Sequence, residues 1–374
     1  MNEKNNLFKN VGKFRDNNIS YYVNKYTNND GFYNLGWGNL SEEMIKYIVP
    51  KINFDKNLIG RYNDSQGTKD LLDEIVKFVN EKSGLILNKE NILITNGVTS
   101  SIFLLGNYFK NFHNINTVLL QNPTYDTAIN IFRSQDYDIK TTDPNLNDNY
   151  DKNIELAYLM FKFQNPTGLY IEKDRAKELK ENILKSSYLI EDDSYGLLEK
   201  DSEINIIKNN KYVYLSSFSK YIFPGLRLGY IVADVNIINN LKTIQKYYMS
   251  HPNILSQIVL FDYFKTGKIY NEINNKIRIL DIKNKLFENS LSPKIKNILT
   301  HDHTGFYYWL KLPKDVNLIH LFIELLKNKV FVIPGDIYFV NNKYNALRVC
   351  LSPININDIP KAAKILSKII ENYV

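Results

Sequence analysis

The chain has 374 residues, of which 44% are hydrophobic and 23% charged, and its 47 Lys and Arg against 40 Asp and Glu give a net charge of +7. This length and hydrophobic content allow a substantial core, divided between one large and one small domain. The basic residues are dispersed rather than gathered in a block, so we expect a solvated surface and no nucleic-acid-binding patch. The polar N-terminus and the lack of a bilayer-length apolar stretch predict a cytoplasmic protein without a signal peptide or membrane contact.

The content of metal-binding residue types is low. A single cysteine, Cys350, excludes an internal disulfide and a thiolate cluster. The five histidines lack the spacing of metal ligands. We therefore expect no metal.

Helix-like and strand-like stretches alternate along the chain to about residue 234. Apolar spacing predicts a helix over 66–82, and a second helix begins near residue 100, after the strand-like run Ile92–Thr95. Further apolar runs predict strands at Thr117–Leu120, Ala157–Phe161, Tyr188–Ile190, Tyr212–Leu215 and Leu228–Ala233. This alternation predicts a parallel, doubly wound sheet.

The remaining chain has a different pattern. A long charged helix is predicted over 269–291, followed by strands over 305–312 and 330–333 in a smaller α+β domain. We expect the N-terminal residues to pack with this smaller domain. The predicted division is an N-terminal segment at 1–48, a large α/β domain at 49–270 and a small domain at 271–374.

Lys220 stands out by its position. It ends the run Ser216–Lys220 and is followed closely by Gly225–Gly229, on a tight connection between two predicted core strands. There its amine is desolvated and its charge is opposed by Arg227, and both effects lower a lysine pKa and free the amine to condense with a carbonyl. A surface lysine beside a surface arginine is the alternative.

Three polar residues follow other predicted strands: Asn165, Asp192 and Tyr195. Because side chains beyond the carboxyl ends of strands line the ligand crevice of an open α/β sheet, we expect them to converge with Lys220. Taken singly, Asn165 also fits an ordinary turn, and the acidic pair that begins at Asp192 also fits a helix cap or a solvated loop.

An Asn, an Asp, a Tyr and a Lys in this order resemble the fold type I pyridoxal-phosphate enzymes, in particular the class I/II aminotransferases, over roughly Gly36 to Arg348. The resemblance implies a large doubly wound mixed-sheet domain, a smaller α+β domain, and pyridoxal 5'-phosphate as cofactor. It implies that Lys220 forms the internal aldimine and that Asp192, selected by its spacing from Tyr195, keeps the pyridinium nitrogen protonated. Asn165 and Tyr195 are then expected to hydrogen-bond the phenolic oxygen of the ring.

The turn Asn96–Thr99, which leads into the helix predicted to begin near residue 100, offers a phosphate site. A helix N-terminus has unpaired N–H groups and a partial positive charge, so we assign the backbone of Val98 and Thr99, and the Thr99 hydroxyl, to the phosphate. Ser217 and Arg227 are expected to complete this site. A plain helix cap is the alternative.

Two tyrosines gain roles only through the resemblance. Tyr125 matches the aromatic residue that stacks on the pyridine ring. The segment Gly60–Gly67 is similar to one in which a tyrosine reaches the phosphate of the neighbouring subunit, which implies a homodimer with Tyr62 contributed across the interface. Without the other motifs, this segment reads as a hydrophilic loop before a helix.

Arg348 lies inside an apolar run, where an arginine needs a partner or an exit to water. A carboxylate fits its fork best, whereas an alternating strand with Arg348 on its wet face is the alternative. The resemblance implies that Arg348 and Asn165 bind the substrate carboxylate, and that Gly36 lets the backbone approach the substrate. Trp37 departs from the small residues that are commonest beside that glycine.

Residues 219–230 most resemble the 2-aminoadipate-type aminotransferases and the aminotransferase-like domains of MocR-type regulators. The 35 residues before Gly36 are too few for the winged helix-turn-helix of those regulators, so we expect an enzyme without a DNA-binding domain. The implied reaction moves an amino group between an α-amino acid and a 2-oxo acid, through Lys220 and pyridoxamine phosphate. A pyridoxal-phosphate-dependent lyase, decarboxylase or cyclase shares the same cofactor residues, and spacing does not separate these reactions.

Overall fold

The computed structural model describes residues 15–26, 31–45, 56–147, 153–300, 305–341 and 343–374. Within them the helices are α1 (Arg15–Tyr26), α2 (Glu42–Ile45), α3 (Lys56–Ile59), α4 (Lys69–Ser83), α5 (Val98–His113), α6 (Asp126–Ser134), α7 (Lys173–Leu184), α8 (Val235–Met249), α9 (Ile254–Lys265), α10 (Lys268–Ser290), α11 (Pro293–Lys296), α12 (Leu318–Lys327) and α13 (Ile359–Ile370). The strands are β1 (Tyr33–Asn34), β2 (Ile92–Thr95), β3 (Thr117–Gln121), β4 (Asp138–Thr142), β5 (Leu156–Leu159), β6 (Tyr188–Asp192), β7 (Tyr212–Ser217), β8 (Gly229–Val232), β9 (Tyr307–Lys311), β10 (Val330–Phe331), β11 (Ile333–Pro334) and β12 (Ala346–Cys350).

The largest sheet has seven strands in the order β2-β8-β7-β6-β5-β3-β4. Strand β8 is antiparallel to both of its neighbours, and the pairs from β7 to β4 are parallel. The expectation of a purely parallel sheet is therefore wrong for β8, whereas the mixed sheet implied by the resemblance is confirmed. The connection between β7 and β8 contains only the 3-10 turn Pro224–Leu226, whereas the crossover to a parallel neighbour usually contains an α-helix.

This sheet is covered on both faces. Alternate residues along β2 and β7 enter two separate hydrophobic clusters, with Ile92 and Tyr214 in one and Leu93 and Leu215 in the other. Because both faces are buried, these strands read as continuous apolar runs rather than as alternating ones. This double cover leaves the strand ends as the place for polar side chains.

The smaller sheet is antiparallel, in the order β11-β12-β9, and β1 pairs in parallel with β10 in a separate two-stranded sheet. The strand predicted over 330–333 is thus split, because β10 and β11 pair with different partners. The boundary predicted at residue 48 lies outside the described residues, and the boundary at 270 stays a prediction.

Helix boundaries differ slightly from those predicted. Helix α4 begins at Lys69 rather than at 66, and Gly67 before it has φ +120°. A Cβ there would lie 2.6 Å from the Ile94 side chain, so both the backbone conformation and the packing require glycine. None of the helices in the described part of the chain is long and apolar enough to cross a membrane.

Candidate active site

A cavity of about 540 Å³ opens at the carboxyl ends of β5, β6 and β7 and at the N-terminus of α5. Most of the residues predicted for a site converge there, as expected for the crevice of an open α/β sheet. Those that line it are Val98, Thr99, Tyr125, Asn165, Asp192, Tyr195, Ser217, Lys220, Arg227 and Arg348.

Lys220 points into this cavity between aromatic rings. Its Nζ donates a hydrogen bond to the Gly38 carbonyl at 2.7 Å and lies 5.9 Å from the Tyr195 ring and 5.7 Å from the Phe306 ring. Burial lowers the pKa of Lys220 to about 8; Cys350 opposes this shift, and the positive charges of Arg348 and Arg227 add to it. The amine is thus far easier to deprotonate than that of an exposed lysine.

This pKa predicts a pH dependence for the capture of aldehydes. Below pH 8 Lys220 is an ammonium ion and cannot attack, and above pH 8 it is a free amine. We expect the rate at which cofactor-free protein condenses with pyridoxal phosphate to rise with a midpoint near pH 8, as measured by stopped-flow absorbance. A midpoint near the ordinary lysine value of about 10.4 would contradict this account.

Asp192 lies at the end of β6, where it is buried and held by three hydrogen bonds. Its Oδ1 accepts from the Ser194 N–H at 3.1 Å and from the Ser194 hydroxyl at 2.5 Å, and its Oδ2 accepts from the Tyr158 hydroxyl at 2.5 Å. Burial raises the pKa of Asp192 to about 6, although the bonds from Ser194 and Tyr158 lower it. Asp193 faces away and accepts from Tyr214 at 3.0 Å, so the two members of the acidic pair have different surroundings.

Arg348 is only 6% exposed and does not lie on a wet strand face. Its Nη1 donates to Asn165 Oδ1 at 2.9 Å and its Nη2 to the Gly36 carbonyl at 2.7 Å. Its guanidinium carbon lies 4.5 Å from the centre of the Tyr307 ring and 4.9 Å from that of Tyr338. Its Nε is buried, and no hydrogen-bond acceptor for it is found in the described part of the chain.

The opposite end of the cavity is rich in hydrogen-bond donors. Helix α5 begins at Val98 after Gly97, which has φ +87°, and a Cβ on Gly97 would lie 3.2 Å from Arg227 Nη2. Glycine therefore lets the guanidinium approach the first turn of α5, where the backbone N–H groups have no helical partner. The buried hydroxyl of Ser219 has no hydrogen-bond partner among the described residues, and the N–H of Ser219 donates to Ser217 Oγ at 3.0 Å.

Three other predicted residues differ from one another in their position relative to the cavity. Tyr125 precedes α6 and lines the cavity. Gly36 does not line it, but its carbonyl holds Arg348, and a Cβ there would lie 2.3 Å from the Phe331 ring. Tyr62 is outside the cavity and 88% exposed, so a single chain does not bring it to the site.

Several functional contacts were missed by sequence reasoning. Ser194 and Tyr158 hold Asp192, and Tyr307 lies 2.8 Å from Tyr195 between their hydroxyl oxygens. Among the site residues that sequence reasoning did not assign, only Ser219 could have been recognised from the sequence, because it directly precedes Lys220 in a serine-rich run. Among the residues that the structure describes, no cluster of His, Cys, Asp or Glu is placed to hold a metal.

Comparison with solved structures identifies the fold. An archaeal alanine:glyoxylate aminotransferase superposes with a TM-score of 0.83 at 20% identity, covering 96% of this chain and 95% of the other. The alpha-aminoadipate aminotransferase LysN of Thermus thermophilus, complexed with N-(5'-phosphopyridoxyl)-L-leucine, gives 0.80 at 21% identity, covering 94% and 95%.

Sequence comparison gives relatives of two kinds. The HTH-type transcriptional regulator NorG of Staphylococcus aureus strain N315 is 29% identical over 343 residues, which cover 84% of this chain and 76% of that protein. Aromatic-amino-acid aminotransferase 1 of Thermococcus litoralis is 24% identical over 338 residues, covering 83% and 80%. The relatives thus include a transcriptional regulator and an aminotransferase.

The chain belongs to the aminotransferase class I and II family, because the model of that family matches residues 30–366. It is a pyridoxal-phosphate-dependent enzyme that moves an amino group between an amino acid and a 2-oxo acid. The predicted fold type I architecture, enzyme class and cofactor are confirmed.

Proposed function

We propose that this cavity holds pyridoxal phosphate between Lys220, Asp192 and Arg227. We propose further that Arg348 binds the carboxylate of an amino acid with an apolar side chain. The observation that carries the proposal is the convergence of an amine, a buried carboxylate and two guanidinium groups in one cavity. Each is of the type that one part of the cofactor or substrate requires.

The donor-rich end of the cavity fits a phosphate. The Ser219 hydroxyl, which has no hydrogen-bond partner among the described residues, and the first-turn N–H groups of Val98 and Thr99 supply neutral donors, and Arg227 supplies the charge. The close approach of Arg227 to Gly97 leaves no space for a Cβ there without displacing the guanidinium. We assign Ser217 to the same site through its bond with the Ser219 N–H.

The middle of the cavity fits a flat ring. Asp192 is proposed to accept a hydrogen bond from the ring nitrogen, and its bonds to Ser194 and Tyr158 fix the carboxylate for this purpose. Asn165 accepts from Arg348 through Oδ1, so its Nδ2 would be the group that donates to the ring oxygen, together with the Tyr195 hydroxyl. Tyr125 is proposed to stack on the ring face.

When bound, pyridoxal phosphate supplies an aldehyde and an electron-accepting ring. Lys220 would hold the cofactor through that aldehyde until the amine of an amino acid takes its place. The released Lys220 amine, with its lowered pKa, then takes the proton from the substrate Cα as a general base and returns it later. Arg348 holds the carboxylate so that the Cα–H bond, not the Cα–carboxylate bond, is directed for cleavage.

The proposed side-chain class of the substrate is supported by apolar residues of the cavity wall. Ile19, Trp37, Ile333 and Ile337 contribute apolar surface to the cavity that Arg348 also lines. Among the described lining residues the cations are Lys220, Arg227 and Arg348, and each already has a proposed partner. A second substrate carboxylate would lack a counter-charge in a desolvated site, which is costly.

A titration with single amino acids tests this proposal. Each amino acid is added to the purified holoprotein without a 2-oxo acid, and the visible absorbance of the cofactor and the released 2-oxo acid are measured. We expect leucine and phenylalanine to give one equivalent of 2-oxo acid per site, at lower concentrations than aspartate or glutamate. Steady release of ammonia or carbon dioxide without a 2-oxo acid acceptor would instead identify a lyase or a decarboxylase.

We also propose a homodimer in which Tyr62 completes the phosphate site of the partner. Tyr62 contacts the ring of His251, and Tyr247 and Tyr248 nearby are 82% and 55% exposed, so these aromatic side chains form a surface suited to a second copy. Separately from the dimer, we propose that the enzyme is located in the cytoplasm, and this rests on the sequence pattern alone.

The dimer makes a specific prediction for Tyr62→Phe. Loss of one hydrogen bond to a charged group should weaken cofactor retention by about 1.5–3 kcal/mol, measured by dialysis against limiting pyridoxal phosphate. Sedimentation velocity should give a dimer for both proteins, since the ring is kept. A wild-type monomer that is fully active at nanomolar concentration would rule out the shared site.

A further inference from the structure

One loop holds both cations of the substrate side of the cavity. The Gly36 carbonyl accepts from Arg348 Nη2 and the Gly38 carbonyl accepts from Lys220 Nζ, each at 2.7 Å. These carbonyls belong to the loop of residues 35–41, which connects β1 to α2. The positions of both side chains therefore depend on what fixes this loop.

The loop is fixed at its far end by the segment that follows β12. The Ser352 hydroxyl donates to the Asn39 carbonyl at 2.5 Å, and the Ser41 N–H donates to the Ser352 carbonyl at 2.9 Å. A fully buried lysine, Lys283 of α10, joins the two segments. Its Nζ donates to Ser41 Oγ at 2.7 Å, to the Ser352 carbonyl at 3.0 Å and to the Ile354 carbonyl at 2.6 Å.

A buried ammonium ion at this place is costly to maintain. Burial lowers the pKa of Lys283 to about 8, although the negative charge of Glu43 opposes the shift. All three of its N–H donors are used, so the group is satisfied, yet an apolar side chain at a buried charged position is often as stable or more stable. Stability alone is therefore a poor account of a lysine here.

We propose that Lys283 is a positioning residue, which clamps Ser41 to the Ser352–Ile354 segment and thereby sets the carbonyls that hold Lys220 and Arg348. This inference rests on the roles proposed above for those two residues. Lys283 touches neither substrate nor cofactor in this account, and it acts only through the loop.

The same helix provides a matched control. Lys276 is also fully buried in α10, and its Nζ lies 2.5 Å from Glu272 of the same helix. Its hydrogen bond to Glu272 thus stays within α10 and does not reach the loop. Removing Lys276 leaves a buried carboxylate unpaired, which affects folding but not the carbonyls at the site.

The test compares Lys283→Met and Lys276→Met as holoproteins. For Lys283→Met we expect the half-reaction rate with leucine to fall about 10- to 100-fold, the scale of a misplaced reacting group, and the pH midpoint of the visible cofactor band to shift. Lys276→Met should lower the melting temperature and keep wild-type kinetics and midpoint. Lys283→Arg, which keeps the charge, should recover part of the rate.

Ser41→Ala keeps the experiment decisive if Lys283→Met does not fold. It removes the loop side of the clamp and leaves the two carbonyl bonds of Lys283, and about a tenfold loss of rate with a shifted midpoint is expected for one hydrogen bond to a charged group. Wild-type kinetics and midpoint in the folded variants would overturn the proposal. A wild-type protein without covalent cofactor on Lys220 would instead overturn the proposed function itself.

Discussion

Replacing Lys220 by alanine is expected to reduce turnover by several orders of magnitude. The substitution removes both the amine that anchors the cofactor and the base that accepts the substrate proton. The other groups of the cavity remain, so Lys220→Ala should still bind pyridoxal phosphate, held by Arg227, the N-terminus of α5 and Asp192. Borohydride reduction followed by peptide mass spectrometry should find the cofactor on Lys220 in the wild type and no covalent adduct in the variant.

A comparison of Lys220 with the buried Lys283 of α10 shows what the trapping experiment distinguishes. Lys283 also has a pKa lowered to about 8, so a low pKa alone does not decide which amine reacts. Of Lys220 and Lys283, it is Lys220 that has both this lowered pKa and a position on the cavity wall. Trapping on Lys283, or unchanged turnover in Lys220→Ala with a normal melting temperature, would contradict the assignment.

The sequence predicted where the site lies because strand ends carry positional information. Asn165, Asp192 and Lys220 each follow a buried apolar run, and neighbouring parallel strands bring such positions together. Strand direction is not encoded in an apolar run, so periodicity predicts a parallel sheet, and the family resemblance implies a mixed sheet without identifying β8 as the antiparallel strand.

Contacts between distant residues could not be read from local patterns. Tyr158 and Asp192 are 34 positions apart, and Tyr195 and Tyr307 are 112 apart, in a chain with 27 tyrosines. Nothing in the spacing of one tyrosine distinguishes it from the others. The role of Lys283 was invisible for the same reason, since its partners lie in two other segments.

Replacing Arg348 by lysine is expected to lower kcat/KM for amino acids about 100-fold, mainly by raising KM. A loss of this size corresponds to one or two hydrogen bonds to a charged group. Two arms of the fork are occupied by Asn165 and the Gly36 carbonyl, and the buried Nε lacks an acceptor in the described residues. A lysine has one nitrogen and cannot hold these partners and a carboxylate in the same plane. The exposed Arg278, substituted in the same way, provides the control.

The substrate carboxylate itself separates a direct from an indirect role of Arg348. We measure the half-reaction of the wild type and Arg348→Lys with leucine and with isopentylamine, which lacks the carboxylate. If Arg348 binds the carboxylate, the wild type should prefer leucine strongly and the variant should lose most of that preference, while the slow reaction of the amine changes little. An equal loss for both compounds would mean that Arg348 acts by orienting Asn165 and the Gly36 loop, and the carboxylate would then need another partner.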